Sequence, residues 1–517
     1  MRQVALLLAG LAVLAAVPGQ EPGTAEARLF GAEGHDEATA VWADQAGIFV
    51  AGETTSDIVM ADGQALWAPG GPPGRKGFVT AFDTALHWSW SFSFAGDPEA
   101  PMDAPSAVAV RDVVRSPGDP AVAWVLYDAP VQGQWESVLL GVHPDEGVIA
   151  RHAWSTSGAV TSVDLVQAGS EGFIWVGREL SSAAPEGPGG IRLGFWDGQT
   201  DSAPSFAWLA GAESMTPIAA DWHGGTLCIA ALTPEPDTPS TVLLVEVVNG
   251  NPVIVGTAPI PDAQLTLVDV AASAEGVAWS ATQLDADGTV DAVFGKVAEA
   301  PDPDAPDTWG HAWIQVTAAD EDQPARSIQW AGDVVQCAMR TTTTGEGGTG
   351  IRIQRRFSPN GAWFGEYTFG GLEDEELGGG TLDHEGRSVY VGSSSSWTDL
   401  GVGNGSHDAV LFRLSNQQLQ NGFETTAEMA VLPEAAFVGL APPDAGQERG
   451  HAALILPLGA VLPFEHGQTW AVYAADGRLE HKGSGGGWTC RGAEGWRTVV
   501  TLSATGESLR RRVWVAH

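Results

Sequence analysis

The sequence predicts an all-β fold: a seven-bladed β-propeller of four-stranded blades, closed by an N-terminal strand and followed by a small C-terminal β-sandwich. Three observations predict it. A short passage recurs seven times between Phe30 and Leu414, best preserved as GIFVAGETTS from Gly47 and RSVYVGSSS from Arg387. Each of these two is followed by an apolar alternating run, GFVTAFDTA from Gly77 and DAVLFRLSN from Asp408. The copies are spaced by about 55 residues, and a period of that size built of strands rather than helices marks a circular array of small sheets.

Within each unit, apolar residues alternate with polar or small ones four times between turn signals, which reads as four strands. In the first unit these begin at Glu37, Gly47, Gly77 and Trp88, with a Gly- and Pro-rich insertion from Asp62 to Gly74 as a loop on one rim. The second unit reads PSAVAVRD, AVAWVLYD, SVLLGVHPD and VIARHAWS, and the fifth LTLVDVAAS, GVAWSATQL, DAVFGKVAEA and HAWIQVTA. The seventh offers ELGGGTLDH, RSVYVGSSS and DAVLFRLSN, and no fourth strand. Arg28-Leu29-Phe30-Gly31 supplies it, because Leu-Phe-Gly resembles the fourth-strand tails Ser93–Gly96 and Thr368–Gly371. Residues 26–31 are therefore expected to pair with Asp408–Leu414, closing the ring without an open edge. The short first strands (ATAVWA, SAVAV, DVAAS) are expected to be almost wholly buried and to line the shaft. The 66 glycines serve tight turns and close sheet-to-sheet contact near the axis.

A chain of 517 residues is too long for one core. Residues 1–20 read as a secretory signal peptide, with Arg2 ahead of an apolar run from Val4 to Val17 and cleavage near Gly19 or after Ala25-Glu26-Ala27. That run falls short of the roughly 18 residues a membrane span needs, so no transmembrane segment is expected in the mature chain. The propeller takes 26–415, a polar linker 416–432 and the C-terminal domain 433–517.

The formal charge of −39, from 64 acidic and 25 basic residues, argues against nucleic acid or anionic membrane as partner. Cys228, Cys337 and Cys490 read as small buried residues, with neither a disulfide framework nor metal-ligand spacing. Several of the 21 tryptophans, among them Trp88, Trp90, Trp154, Trp208, Trp313 and Trp363, fall on or near fourth strands, where large side chains fill the wedges between blades. An aromatic platform for glycans is the alternative.

The core at Gly47–Ser56 and Arg387–Ser395, with Asp36 before the first strand, Gly77–Val79 and Asp408–Leu411 as third strands and Phe369–Gly371 as the end, resembles the SBBP-type bacterial propeller repeat. The resemblance implies an exported scaffold and brings no active site. The C-terminal segment, with Val472, Tyr473, Asp476, Gly477 and Arg478, then Val499, Thr501, Gly506, Arg512 and Val513, resembles the C-terminal sorting domain of type IX secretion cargo in Bacteroidota. That implies the outer-membrane secretion machinery as a partner, and a secreted or surface-attached protein. The aromatic or aliphatic residue usual after Gly is replaced by Trp496-Arg497-Thr498, and the Asn-Pro common at the domain's start is absent. An ordinary adhesion or carbohydrate-binding sandwich is the other reading.

The sequence carries no G-x-S-x-G elbow, no H-E-x-x-H and no phosphate-cradling loop. No cofactor is expected. His311, and His407 beside Asp408, read as surface or turn residues. Asp285 and Asp287, and Asp302 and Asp304 with Asp307, are candidate calcium ligands, although aspartate also favours turns for its own backbone hydrogen bonds. Two functional classes follow. The first is a non-catalytic scaffold that binds an unknown protein or glycan through loops such as Asp62–Gly74 and Thr341–Gly348. The second is a propeller enzyme, lyase or glycosidase, with carboxylates at the axial mouth. Acidic, His or Arg side chains meeting at the axis favour the second, and a shaft of Ala, Val and Gly the first.

Overall fold

The computed structural model describes residues 25–30, 35–55, 75–94, most of 108–395, 407–414 and, within 424–516, the strand residues. Residues 1–24, on which the signal-peptide expectation falls, the Asp62–Gly74 insertion, residues 343–348 and Cys490 lie outside the described residues.

Alternating strands between tight turns fold into four-stranded antiparallel blades, each ordered as in the sequence. They are β2 (Asp36–Asp44), β3 (Gly47–Thr54), β4 (Lys76–Phe82) and β5 (Trp88–Phe94); β6 (Ala109–Arg115), β7 (Ala123–Val131), β8 (Gln134–His143) and β9 (Gly147–Trp154); then β10 (Val160–Gln167), β11 (Phe173–Glu179), β12 (Gly190–Trp196) and β13 (Ser205–Trp208). The chain continues with β14 (Thr216–His223), β15 (Thr226–Leu232), β16 (Thr241–Val248) and β17 (Asn251–Pro259), followed by β18 (Thr266–Ser273), β19 (Gly276–Leu284), β20 (Val290–Asp302) and β21 (Ala305–Val316). Next come β22 (Ala325–Ala331), β23 (Val334–Thr341), β24 (Gly350–Phe357) and β25 (Trp363–Phe369), and last β26 (Glu375–Leu382), β27 (Ser388–Ser394) and β28 (Asp408–Arg413).

The first strand of each blade packs against the first strand of the next, and β26 packs against β2. A closed circle of inner strands with sheets radiating from it is a β-propeller. β1 (Ala25–Phe30) runs antiparallel to β28, from Glu26 opposite Arg413 to Phe30 opposite Ala409, and supplies the fourth strand that the last blade lacks. The Asp36 N–H donates to the His407 carbonyl at 3.0 Å, tying this blade to the β2–β5 blade.

The innermost strands are not the most buried; β3, β4 and β27 exceed them. Every residue of β3 and β27 is buried, whereas β2 alternates buried and half-buried positions. The expectation of wholly buried first strands is corrected: a second strand is flanked by strands on both sides within its sheet, while a first strand is the sheet's edge.

The outer hairpin β20–β21 is longer than the alternation suggested and leans on the neighbouring blade. Thr257 of β17 pairs in parallel with Thr308 of β21, fusing two blades into an eight-stranded sheet. Gly256 makes room for it, since a Cβ there would lie 2.4 Å from Trp309 Nε1.

Beyond the last blade, β29 (Glu424–Thr426) adds in parallel to β25, and β30 (Met429–Val431) to β1. The C-terminal strands are β31 (Leu454–Pro457), β32 (Val461–Pro463), β33 (Thr469–Ala474), β34 (Leu479–Ser484), β35 (Gly487–Thr489), β36 (Gly495–Leu502) and β37 (Ser508–Ala516). They form a five-stranded sheet, β31-β37-β36-β33-β34, in which only β31 and β37 are parallel, and a β32–β35 pair. Among the described residues no helix is long and apolar enough to cross a membrane.

Candidate functional site

The shaft is not lined by small apolar residues alone. In β6, β10 and β18 a β-bulge re-aims the strand, and the first paired residue after it is Asp112, Asp164 or Asp269. β14 has Ala219 at that place and its Asp221 two residues later. Each carboxylate makes the same two bonds. One oxygen accepts from the N–H of the following residue: Val113 at 2.7 Å, Leu165 at 3.1 Å, Trp222 at 2.7 Å and Val270 at 2.8 Å. The other accepts from the inner strand of the next blade: Leu165 for Asp112 at 3.0 Å, Ala220 for Asp164 at 2.9 Å, Ala272 for Asp221 at 2.7 Å and Ile328 for Asp269 at 2.8 Å.

These carboxylates are half-buried at their own surfaces yet have protein on all sides. Burial pushes Asp221 and Asp269 up to about 7, each further raised by the charge of Asp164. Burial raises Asp112 and Asp164 as well, and the charge of Asp112 raises Asp164 further. Among the described residues no three His, Cys, Asp or Glu side chains converge as a metal-ligand set.

The remaining joints are made differently. At the place of the aspartates, β22 has Ser327, β26 Gly379 and β2 Ala40. β26 lies so close to β2 that a Cβ on Gly378 would sit 2.1 Å from the Ala38 carbonyl oxygen.

A second feature is a cleft of about 680 Å³ where the β10–β13 and β14–β17 blades meet. Buried Phe173 and Trp196, stacked at 5.3 Å, line its inner part. Half-buried Phe195 and Trp222, exposed Asp197 and Ser205, and the turn glycines Gly225 and Gly250 also line it. The Ser202 hydroxyl donates to the Asp197 carboxylate, and Trp196 Nε1 donates to the Ser202 carbonyl at 3.0 Å. The cleft lies on the rim of the first-to-second and third-to-fourth strand turns. The described ends of β3 and β4 (Thr54, Lys76) and of β23 and β24 (Thr341, Gly350), between which the two loops named above fall in the sequence, are second-to-third strand ends and lie opposite those turns along the strands.

The predicted residues fall as follows. Asp285 sits in the β19–β20 turn, where its carbonyl accepts from Gly288 N–H at 3.0 Å. Asp302 ends β20, so the two acidic loops lie at opposite ends of one strand; Asp287 and Asp304 are outside the described residues. His311 is half-buried within β21 rather than on the surface or in a turn. Trp279 donates to its Nδ1 at 3.1 Å and its Nε2 lies 2.8 Å from the Pro259 carbonyl, which fixes the neutral Nε2–H tautomer. Cys228 and Cys337 are free and buried, and burial pushes the Cys228 thiol up to about 12. Trp90 and Trp313 are packed in the core, but Trp208 and Trp363 are 46% and 40% exposed. In the C-terminal sheet Tyr473 and Arg512 stand in one rank on either side of Thr498, and Val513 pairs with Arg497. Asp476, Gly477, Arg478 and Gly506 are outside the described residues.

The axial aspartates are what sequence reasoning missed. Their signal was present: V-R-D-V-V, S-V-D-L-V, A-A-D-W-H and L-V-D-V-A each place an aspartate inside an apolar first strand.

No family model matches the chain, and no curated protein matches it. Among solved structures it is similar to Drosophila semaphorin 2a (TM-score 0.42, 7% identity, covering 95% of this chain and 97% of that one). It is also similar to the NanB sialidase of Streptococcus pneumoniae (0.41, 10%, 79% and 73%). A third is Chaetomium thermophilum Sqt1 bound to the N-terminus of ribosomal protein L10 (0.39, 10%, 76% and 100%).

Proposed function

We propose that this protein is an exported, non-catalytic scaffold, a seven-bladed propeller of the SBBP-like kind that binds a protein or glycan outside the cell. Its C-terminal strands form a small sandwich that delivers it through a type IX-like outer-membrane route. One observation carries the non-catalytic reading: the axial aspartates are already used as staples. A general acid or nucleophile needs a carboxylate free to approach substrate, and both oxygens of each of these are bonded to backbone N–H groups of two blades. Asp164 thus serves the ring rather than a reaction. The delivery reading draws support from the rank shared by Tyr473 and Arg512, both residues of the sorting pattern.

Two measurements test it. The purified chain, incubated with chromogenic glycosides and with pectin, is expected to show no turnover above buffer; turnover abolished by Asp164→Asn replaces the scaffold by an enzyme. Residues 433–517 fused to a reporter in a type IX-competent host are expected to bring it outside the cell, and retention in the periplasm refutes the delivery route.

A further inference from the structure

We propose that the cleft between the β10–β13 and β14–β17 blades binds a segment of a neutral saccharide. The inference rests on the scaffold reading and names its ligand class and rim. Small-molecule sites typically measure about 300–1,000 Å³, combining apolar walls with a few convergent polar groups. The cleft's 680 Å³ falls within that range.

Its chemistry selects among ligands. A pyranose offers a flat C–H face and a rim of hydroxyls. Phe195 and Trp222 supply partly open rings at the wall, backed by the stacked Phe173–Trp196 pair, so the apolar face has a rigid surface to lie on. Asp197 and Ser205 supply oxygen acceptors at the mouth, and Gly225 and Gly250, with open space where a Cβ would be, leave turn backbone within reach of a ligand. None of the described residues lining the cleft is Lys or Arg, and the chain carries −39. Phosphates, uronates and acidic peptides therefore meet repulsion without a counter-charge, whereas an uncharged sugar does not.

The site is also held in place. Trp222 follows Asp221, whose carboxylate accepts from the Trp222 N–H at 2.7 Å and from Ala272 of the next blade at 2.7 Å. The axial staple thereby fixes the strand that presents the cleft's outer indole, which lowers the cost of ordering on binding.

The test is calorimetric titration of the full chain with cellotetraose, xylotetraose, mannotetraose and chitotetraose. At least one is expected to bind, with affinity falling about tenfold or more in Trp222→Ala and several-fold in Asp197→Asn, about 1.4 kcal/mol per tenfold. Asp197 is exposed, so its variant keeps the test alive if Trp222→Ala unfolds. Trp363→Ala, at an exposed tryptophan of another blade, is expected to leave binding unchanged. No binding by any of the four up to about 10 mM, binding indifferent to both cleft variants, or displacement by a proline-rich decapeptide that binds more tightly would each overturn the proposal. Cleavage of a bound tetrasaccharide would sink the non-catalytic reading and leave the cleft standing, so the two failures are distinguishable.

Discussion

The carboxylate of Asp164 and the backbone N–H of Ala220 meet at 2.9 Å across the joint of two blades, 56 residues apart in the chain. Removing the acceptor orphans this N–H and weakens that of Leu165. Asp164→Ala is therefore expected to cost about 1–3 kcal/mol, read as a lowered urea midpoint at pH 7. Burial and Asp112 already push the Asp164 carboxyl toward its neutral form, so Asp164→Asn should cost clearly less. Equal losses in the two variants would contradict the staple.

Stability should fall as pH rises from mild acid to neutrality. Asp221 and Asp269 titrate at about 7 in the folded protein, against about 3.9 in an unfolded chain. Between those values the folded state holds more protons, so raising the pH favours unfolding until the carboxyls are fully ionised. Asp83 and Asp374, held low by hydrogen bonds from His87 and Thr349 as well as by nearby charge, work in the opposite direction only below that window. A thermal midpoint higher at pH 5 than at pH 8, with the difference reduced in Asp221→Asn, is the expected result.

Gly378→Ala should be among the most damaging single substitutions. Its Cβ would meet the Ala38 carbonyl oxygen at 2.1 Å, with Thr39 Cα at 2.8 Å, and backbone on both sides leaves nothing flexible to yield. A loss of about 3 kcal/mol or more, or failure to fold, is expected; a midpoint within a degree of the parent would show that the joint has slack.

Deleting residues 25–30 removes the partner of β28 and exposes the edge from Ala409 to Arg413. Open edges pair with other chains, so the truncated protein is expected to self-associate on size-exclusion chromatography. A monomer of unchanged midpoint would mean that the strand is ornamental.

Cys228 and Cys337 are buried and free, so Ellman's reagent should reach them only after unfolding. Rapid reaction of either in the native protein would place it at the surface.

Much of this architecture was legible in period-two alternation, because a strand between turns leaves that pattern whichever blade it joins. The N-terminal strand was legible as well, since three strands in the last unit and one orphan ahead of the first have only one economical pairing. What alternation hides is the direction a side chain takes after a bulge. Asp112 and Asp164 stand inside apolar first strands, and only the register shift after Val110 and Ser162 together with the bonds to Leu165 and Ala220 shows that both reach the next blade. The cleft was illegible for a related reason: Phe195 and Asp197 belong to one repeat and Trp222 to the next, and they meet only across a joint. His311 looked like a scattered histidine because nothing in its neighbourhood of sequence announces Trp279 or Pro259.

Trp309, lodged over Gly256 from the adjoining repeat, makes two units of this ring inseparable. Arrays of this kind ordinarily change size by gaining or losing one unit, each boundary being interchangeable with the next. Here excising either partner would uncover the Trp309 indole or leave an empty notch over Gly256, so at this boundary the two units stand or fall together.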